Sequence, residues 1–316
     1  MRIFIAGASG TLGRPVVAQL LSRGHDVTGL SHSERGRAAV ERAGAKGIIG
    51  DALDRTGLMQ IVADAHPDVV VHLLTALPPA GAYRAADLVA TNRLRTEGTA
   101  NLIDAAVAAG ARRIVAESFV GVYGEAAFTT PSAEDIVLPP VSRGPARDAT
   151  LAMRASEDRL LAAKRSGSIE AVALRIGLLY GPGVPTTALH LSQARRGWLF
   201  APKHAPGVGS FVHISDAASA IVAAIEARSP SFLYNVVDDA PIPLTDYMAL
   251  TSQAAGARAP REIPLWLIRL AAPLIAEFAS VRLPLSNTKI KRELGWTPVY
   301  PTVASGMKQL VMAEAA

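Results

Sequence analysis

The sequence predicts a doubly wound α/β fold: a parallel sheet covered by helices on both faces, with a smaller C-terminal lobe. Three observations carry this prediction. Apolar runs of strand length alternate with amphipathic helical stretches through residues 1–120. The first run, Arg2-Ile3-Phe4-Ile5-Ala6, enters a glycine-rich turn that opens a helix. Beyond Gly177 the rhythm gives way to glycine and proline punctuation and short helices.

Taken in order, Arg2–Ala6 is the first strand. Pro15 to Arg23 is a helix with proline in its first turn and Gly24 just past its end. Asp26–Leu30 is a strand, Gly36 to Arg42 a helix, Gly47–Gly50 a short strand and Thr56 to Ala65 a helix. Asp68–Leu74, with Val69, Val70, Val71, Leu73 and Leu74, is a strand buried on both faces. Thr91 to Ala109 is one long helix ended by Gly110, and Arg113–Glu117 is the fifth strand. Residues 124–147, interrupted by Pro131, Pro139, Pro140 and Pro145, form a surface loop. Leu151 to Ala163 is a helix and Glu170–Ile176 the sixth strand. An apolar helix at Asp216–Ala227 and a strand at Leu233–Val237 complete the pattern. The expected division is residues 1–177 plus 211–238 for the sheet domain and 178–210 plus 239–316 for a small substrate-binding lobe, placed over the C-terminal strand edges.

The turn Gly7-Ala8-Ser9-Gly10-Thr11-Leu12-Gly13 meets the physical needs of a pyrophosphate site. Gly7 bends the chain out of the strand, Gly10 lets backbone N–H groups approach phosphate, and Gly13 lets helix and strand pack closely. The helix N-terminus adds a partial positive charge. A Rossmann-type sheet binding a nicotinamide dinucleotide is the expectation. The second strand runs into Leu30-Ser31-His32-Ser33-Glu34-Arg35, with Ser31 where an acid would bind the ribose hydroxyls of NAD. Ser31, Ser33 and Arg35, with Arg37 nearby and His32 when protonated, can donate to a 2′-phosphate. NADP(H) is therefore expected over NAD(H), with Glu34 counting against it and a phosphate-indifferent polar turn as the alternative.

Half of the residues are apolar and cysteine is absent, so a large core is available while disulfides, thiolate nucleophiles and Cys-based metal sites are excluded. No uninterrupted apolar stretch reaches about 18 residues, and the first one is too short for a signal-peptide core. A cytoplasmic protein without a membrane partner is expected. The net charge of +5 is scattered and aromatics are only 5%, which argues against a nucleic-acid surface. No H-E-x-x-H spacing occurs, so no metal is expected.

Further motifs follow in order. They are Gly50-Asp51-Ala52-Leu53, Val70-Val71-His72-Leu73-Leu74, Glu117-Ser118-Phe119-Val120-Gly121-Val122-Tyr123-Gly124 and Leu174-Arg175…Tyr180-Gly181-Pro182-Gly183. Phe211-Val212-His213-Ile214-Ser215-Asp216, Tyr234-Asn235-Val236 and Glu293-Leu294-Gly295-Trp296-Thr297-Pro298 complete the set. Together with the glycine turn they resemble, nearly end to end, the extended short-chain dehydrogenase/reductase superfamily in its NAD-dependent epimerase/dehydratase group. The resemblance implies a cofactor cradle of Gly7, Ser9, Gly10, Thr11, Leu12, Gly13, Ser31, His32, Ser33, Arg35, Asp51, Ala52, Leu73, Leu74, Thr75 and Ser118, with Asp51 toward the adenine. It also implies a homodimer through the helices at 91–109 and 151–163; a monomer stays open.

The chain departs from that family at its chemistry. Aligned on Glu157, the family's Tyr-x-x-x-Lys pair falls on Ala149 and Met153, and its catalytic Ser or Thr falls on Phe119. None of these can move a proton, so the chain resembles an atypical member. Replacements follow from position: Ser118, Glu117 and Tyr123 are the candidate catalytic residues. Side chains alternate along a strand, so one of Ser118 and Glu117 faces the cofactor, and Ser118 is favoured because it needs no desolvated charge. Glu117 acts as a base if burial raises its pKa, or instead pairs with Arg112 or Arg113. His190, Lys203 and His204 are small-lobe candidates, and His72 and His213 are expected to be structural. Trp198, Phe200, Trp266 and Phe278 suggest an apolar lining. Three functions fit: an NADP(H)-dependent oxidoreductase acting on a small apolar carbonyl or alcohol with a non-standard proton donor, a non-redox cyclase, isomerase or lyase, and a non-catalytic NADP(H) sensor.

Overall fold

The computed structural model describes residues 1–141 and 143–315. The strands are β1 (Arg2–Ala6), β2 (Asp26–Ser31), β3 (Lys46–Ile49), β4 (Val69–His72), β5 (Arg113–Phe119), β6 (Glu170–Ile176) and β7 (Leu178–Tyr180). They continue with β8 (Phe200–Lys203), β9 (Val208–Gly209), β10 (Phe211–His213), β11 (Leu233–Val236), β12 (Ile242–Pro243) and β13 (Arg261–Pro264). Seven of them form one sheet in the order β3-β2-β1-β4-β5-β6-β11, all pairs parallel. The order reverses between β1 and β4, which opens a crevice at their C-terminal ends.

Helices α1 (Gly13–Ser22), α2 (Glu34–Arg42), α3 (Arg55–Ala65), α4 (Val89–Arg93), α5 (Thr99–Ala108), α6 (Arg147–Arg165), α7 (Pro185–Arg195) and α8 (Ile214–Glu226) alternate with these strands. Strand alternation sorts the apolar side chains into two cores. Ile3, Ile5, Val69, Val71, Val115 and Leu174 pack under α1 and α8. Phe4, Val70, Ile114, Ala116 and Ala173 pack under α3, α5 and α6. None of the described helices is long and apolar enough to cross a membrane.

The small lobe holds α9 (Leu244–Ala254), α10 (Leu265–Ala271), α11 (Pro273–Ser280) and α13 (Val303–Ala315), with the short pairs β12–β9 and β13–β8. One segment of the expected lobe packs elsewhere: Ile290 of α12 (Thr288–Leu294) and the adjacent Trp296 enter the core beneath the sheet. The indole of Trp296 donates to the backbone carbonyl of Asp216 and to Ser219 Oγ.

Two helices differ from expectation. The stretch read as one helix over 91–109 contains a π-helical turn, Leu94–Gly98, between α4 and α5. Thr96 Oγ1 donates to the carbonyls of Asn92 and Arg93, and such back-bonding competes with the regular ladder. The second, α6, is longer than 151–163 and starts two residues after Pro145. The proline-punctuated loop is tied down rather than loose. Phe128 and Ser132 N–H groups donate to the carbonyls of Arg282 and Pro284, and buried Glu134 accepts from the Asn235 N–H at 2.6 Å.

A buried ion pair joins α6 to the sheet. Arg175 of β6 grips Glu157 of α6 with two bonds, Nε to Oε1 at 2.9 Å and Nη2 to Oε2 at 2.7 Å. Ser118 Oγ of β5 donates to the same carboxylate at 2.6 Å. The other face of the guanidinium lies 4.6 Å from the centre of the Tyr123 ring. With 3% and 8% of the two side chains exposed, removing one partner strands a buried charge. Arg175→Met is expected to lower the unfolding free energy by about 3–5 kcal/mol, and Arg175→Met/Glu157→Leu to recover most of that loss. Urea titration of both variants checks this; equal losses in the two would contradict it.

Candidate active site

The crevice at the β1/β4 switch point continues into the small lobe as a cavity of about 2040 Å³. Its first half is built by the glycine turn. Gly7 has φ +95°, and a Cβ there would stand 2.6 Å from the Leu73 carbonyl oxygen; a Cβ on Gly13 would stand 2.1 Å from the Gly7 oxygen. Only hydrogen fits at either position. No side chain caps α1, whose N-cap is Leu12; the Arg14 N–H bonds the Gly10 carbonyl, and the positive end of the helix is directed at the turn, where it favours an anion.

Most of the expected cradle lines this half: Gly7, Ser9, Gly10, Thr11, Leu12, Ser31, His32, Asp51, Ala52, Leu73, Leu74 and Thr75. Gly13 lies behind the turn, where it sets the approach of α1. Ser33 and Arg35 stand outside the lining; Ser33 caps α2 by accepting from the Gly36 N–H, and Arg35 is exposed. Arg37, expected near the phosphate, is engaged by Glu34 and Glu41. The cavity thus offers a pyrophosphate turn, an uncapped helix end and an apolar slot beneath β4, a donor set that suits a dinucleotide.

At the end of β5 the alternation falls opposite to expectation. Glu117 lines the cavity and Ser118 does not. Ser118 is buried on the other side of the strand, where its hydroxyl is committed to Glu157. Tyr123 is also turned away: it is fully buried, and its hydroxyl donates to Asn235 Oδ1 at 2.8 Å. Burial raises its pKa, partly offset by Arg175. Ser118 and Tyr123 therefore brace the site from behind, and Glu117 alone of the three faces the cavity.

Glu117 does not pair with Arg112 or Arg113. Arg113 is fully buried and bonds Glu170 and the last carbonyls of α8. The charged neighbour of Glu117 is Arg95, carried on the π turn. Burial pushes the Glu117 carboxyl up to about 7, against the pull of Arg95, and burial likewise lowers the pKa of Arg95. Both remain reachable through the cavity, which they line. Sequence spacing gives no sign of Arg95, because an α-helix read through residues 91–109 contains no π turn to display it.

The remaining floor is mainly apolar, including Phe119, Ala149, Met153 and Ile176. Phe119 packs edge-on against Phe278 of α11, ring centres 5.9 Å apart. Trp198, Phe200 and Phe278 line the cavity as expected, whereas Trp266 does not. In the small lobe His190 lines the cavity, and burial lowers its pKa to about 4. Lys203 and His204 are exposed and off the lining. His72 is a satisfied core residue, within 3.0 Å of Thr99 Oγ1 and accepting the Leu74 N–H. His213 caps α8 and its ring lies tilted against that of Tyr300, centres 4.1 Å apart.

This combination of sheet order, glycine turn and cavity defines a pyridine-nucleotide enzyme on a two-lobed α/β scaffold. Residues 3–236 match the model of the NAD dependent epimerase/dehydratase family, and the chain belongs to that family. It is 36% identical to a 3-diazoavenalumate denitrifying reductase of a Streptomyces species, across 97% of this chain and 99% of the relative. It is 28% identical to a 2-alkyl-3-oxoalkanoate reductase of Stenotrophomonas maltophilia, across the whole of both chains. Its fold matches UDP-glucose 4-epimerase of Thermotoga maritima with TM-score 0.83 at 20% identity, covering 100% of this chain and 99% of that one.

Two substitutions separate the cradle from its support. Gly7→Ala is expected to weaken dinucleotide binding by more than about tenfold, because the backbone must move away from Leu73. Ser118→Ala is expected to cost about 1.5–3 kcal/mol of stability, as loss of a hydrogen bond to a charged group, while nucleotide affinity stays within about twofold. Calorimetric titration and urea denaturation measure both; a large affinity loss in Ser118→Ala would return Ser118 to the cofactor face.

Proposed function

We propose that the protein is an NADPH-dependent reductase of an apolar, ring-sized carbonyl compound, with Glu117 as its proton donor. The observation that carries this reading is Glu117 itself: a carboxyl with a pKa near 7 at the floor of an apolar cavity. Bound NADPH supplies the hydride. Ala149 and Met153, on which the family's Tyr and Lys are expected to fall from the sequence, line the floor and can move no proton. Glu117, half protonated near neutrality, donates to the developing alkoxide, and Arg95 beside it favours the carboxylate left behind. Apolar residues from both lobes exclude water and hold a ring against this group. The reductase relatives support redox chemistry over a lyase or a sensor.

The preference for NADPH rests on the end of β2. Ser31 Oγ lies 3.2 Å from Ser9 Oγ, the end of β2 carries this serine rather than an acid, and Arg37 neutralises Glu34. Arg35 remains exposed at the start of α2, available to a 2′-phosphate.

A second reading is favoured by the 36% identical relative, named for a diazo substrate. Reduction of an aryl diazonium group exchanges dinitrogen for hydrogen, Ar–N₂⁺ plus hydride giving Ar–H and N₂. It needs no proton from the protein, and an ionised Glu117 would face the cationic group.

The two substrates give opposite pH behaviour. For a carbonyl, kcat/KM is expected to fall as pH rises through about 7, because the raised folded-state pKa of Glu117 means the protonated donor is lost there. Glu117→Gln should then reduce kcat by about 10²–10⁴ and flatten the profile. A diazonium substrate should show no fall above neutrality, so a carbonyl profile flat through pH 7 would remove Glu117 as donor. Calorimetry should give NADPH about tenfold tighter binding than NADH, reduced to parity by Arg35→Ala; equal affinities in the unaltered protein would remove the phosphate assignment.

A further inference from the structure

The small lobe carries an exposed apolar patch at the mouth of the cavity. Trp198, Phe200, Trp266, Leu267 and Leu270 are all exposed, Leu270 at 74%, Trp198 at 66% and Trp266 at 62%. They come together because β8 and β13 pair in parallel, with Phe200 opposite Arg261. Trp198 leads into β8, and α10 leaves directly from β13. Trp266, Leu267 and Leu270 share one face of α10 by their spacing. Trp198, Phe200 and Leu267 also line the cavity, so the patch is its rim.

The surroundings of the patch are basic. Residues 195–204 and 258–271 contain Arg195, Arg196, Lys203, Arg258, Arg261 and Arg269, all exposed, against one acid, Glu262. An exposed apolar patch whose segments also carry exposed charge marks an interaction surface. Tryptophan and leucine on a short helix, with arginine alongside, is the chemistry of a surface resting at a lipid headgroup boundary. A second copy of this chain fits the patch poorly, since a two-fold contact sets these basic residues against their own image.

We infer that this face docks on an anionic phospholipid bilayer, with the tryptophans and leucines in the headgroup layer, and that the cavity takes its apolar substrate from that layer. The basic residues attract the anionic headgroups, and the apolar rim gives a lipophilic molecule a continuous path from acyl chains to the floor at Glu117. Docking stands apart from the reaction proposed above, because it rests on the rim alone. It also replaces the expectation of no membrane partner: residues 198 and 266 lie far apart in sequence, and the β8–β13 pairing brings their segments together.

Vesicle flotation tests this with the full-length protein. Vesicles of phosphatidylcholine with phosphatidylglycerol should carry the protein upward, vesicles of phosphatidylcholine alone should not, and high salt should release it. Trp266→Ser/Leu270→Ser should weaken binding by about tenfold or more while NADPH affinity is retained, which shows that the variant is folded. Three results would overturn the inference: no flotation with either lipid, flotation unchanged in the variant, or a concentration-dependent dimer in sedimentation that the variant dissolves.

Discussion

The pair Arg175–Glu157 is the constraint on which the site depends. It ties β6 to α6 at the level where the cavity floor begins. By accepting the Ser118 hydroxyl it also holds the end of β5 in one phase. Because side chains alternate along a strand, drawing Ser118 toward α6 sends Glu117 the other way, into the cavity. A buried pair of this kind adds little net stability over an apolar substitute. Its value here is positional: it decides which of two adjacent polar residues faces the cavity.

The rest of the buried polar chain extends the same frame. Tyr123 lies against Arg175 and donates to Asn235. Asn235 in turn binds Glu134 of the proline-punctuated loop and the Ser286 carbonyl. β5, β6, β11, the loop over the sheet and the segment before α12 are thereby joined behind the floor. Side chains that sequence position alone would nominate for catalysis serve as its scaffold, and Glu117 and Arg95 stand in a mainly apolar lining that also carries Thr150 and Glu277. Desolvation then acts on Glu117 and Arg95 and draws the Glu117 carboxyl toward neutrality.

What was legible in the sequence is what local sterics dictate. The glycines at 7 and 13 mark the turn because a single added carbon would strike backbone, and the valine run of β4 marks a strand buried on both faces. The alternation of elements announced the parallel sheet. The site was legible only in part, because its last choices are made by distant partners. Whether Ser118 or Glu117 faces inward depends on Glu157, and Arg95 reaches Glu117 through a π turn seeded by Thr96. Trp266 was legible as apolar but not as rim, because its neighbour Trp198 is brought in by strand pairing.

Glu117 is expected to sit in the cavity as a carboxyl that is neutral on the acid side of pH 7. Infrared difference spectroscopy of the unaltered protein against Glu117→Gln reads this without a substrate, by following the protonated-carboxyl stretch as pH is raised. A band present in the unaltered protein, absent in the variant and lost with a midpoint of about 7 is the predicted result. A band that disappears near the ordinary carboxylate value of about 4.3 would place Glu117 in water or in a tight ion pair, and would contradict the account.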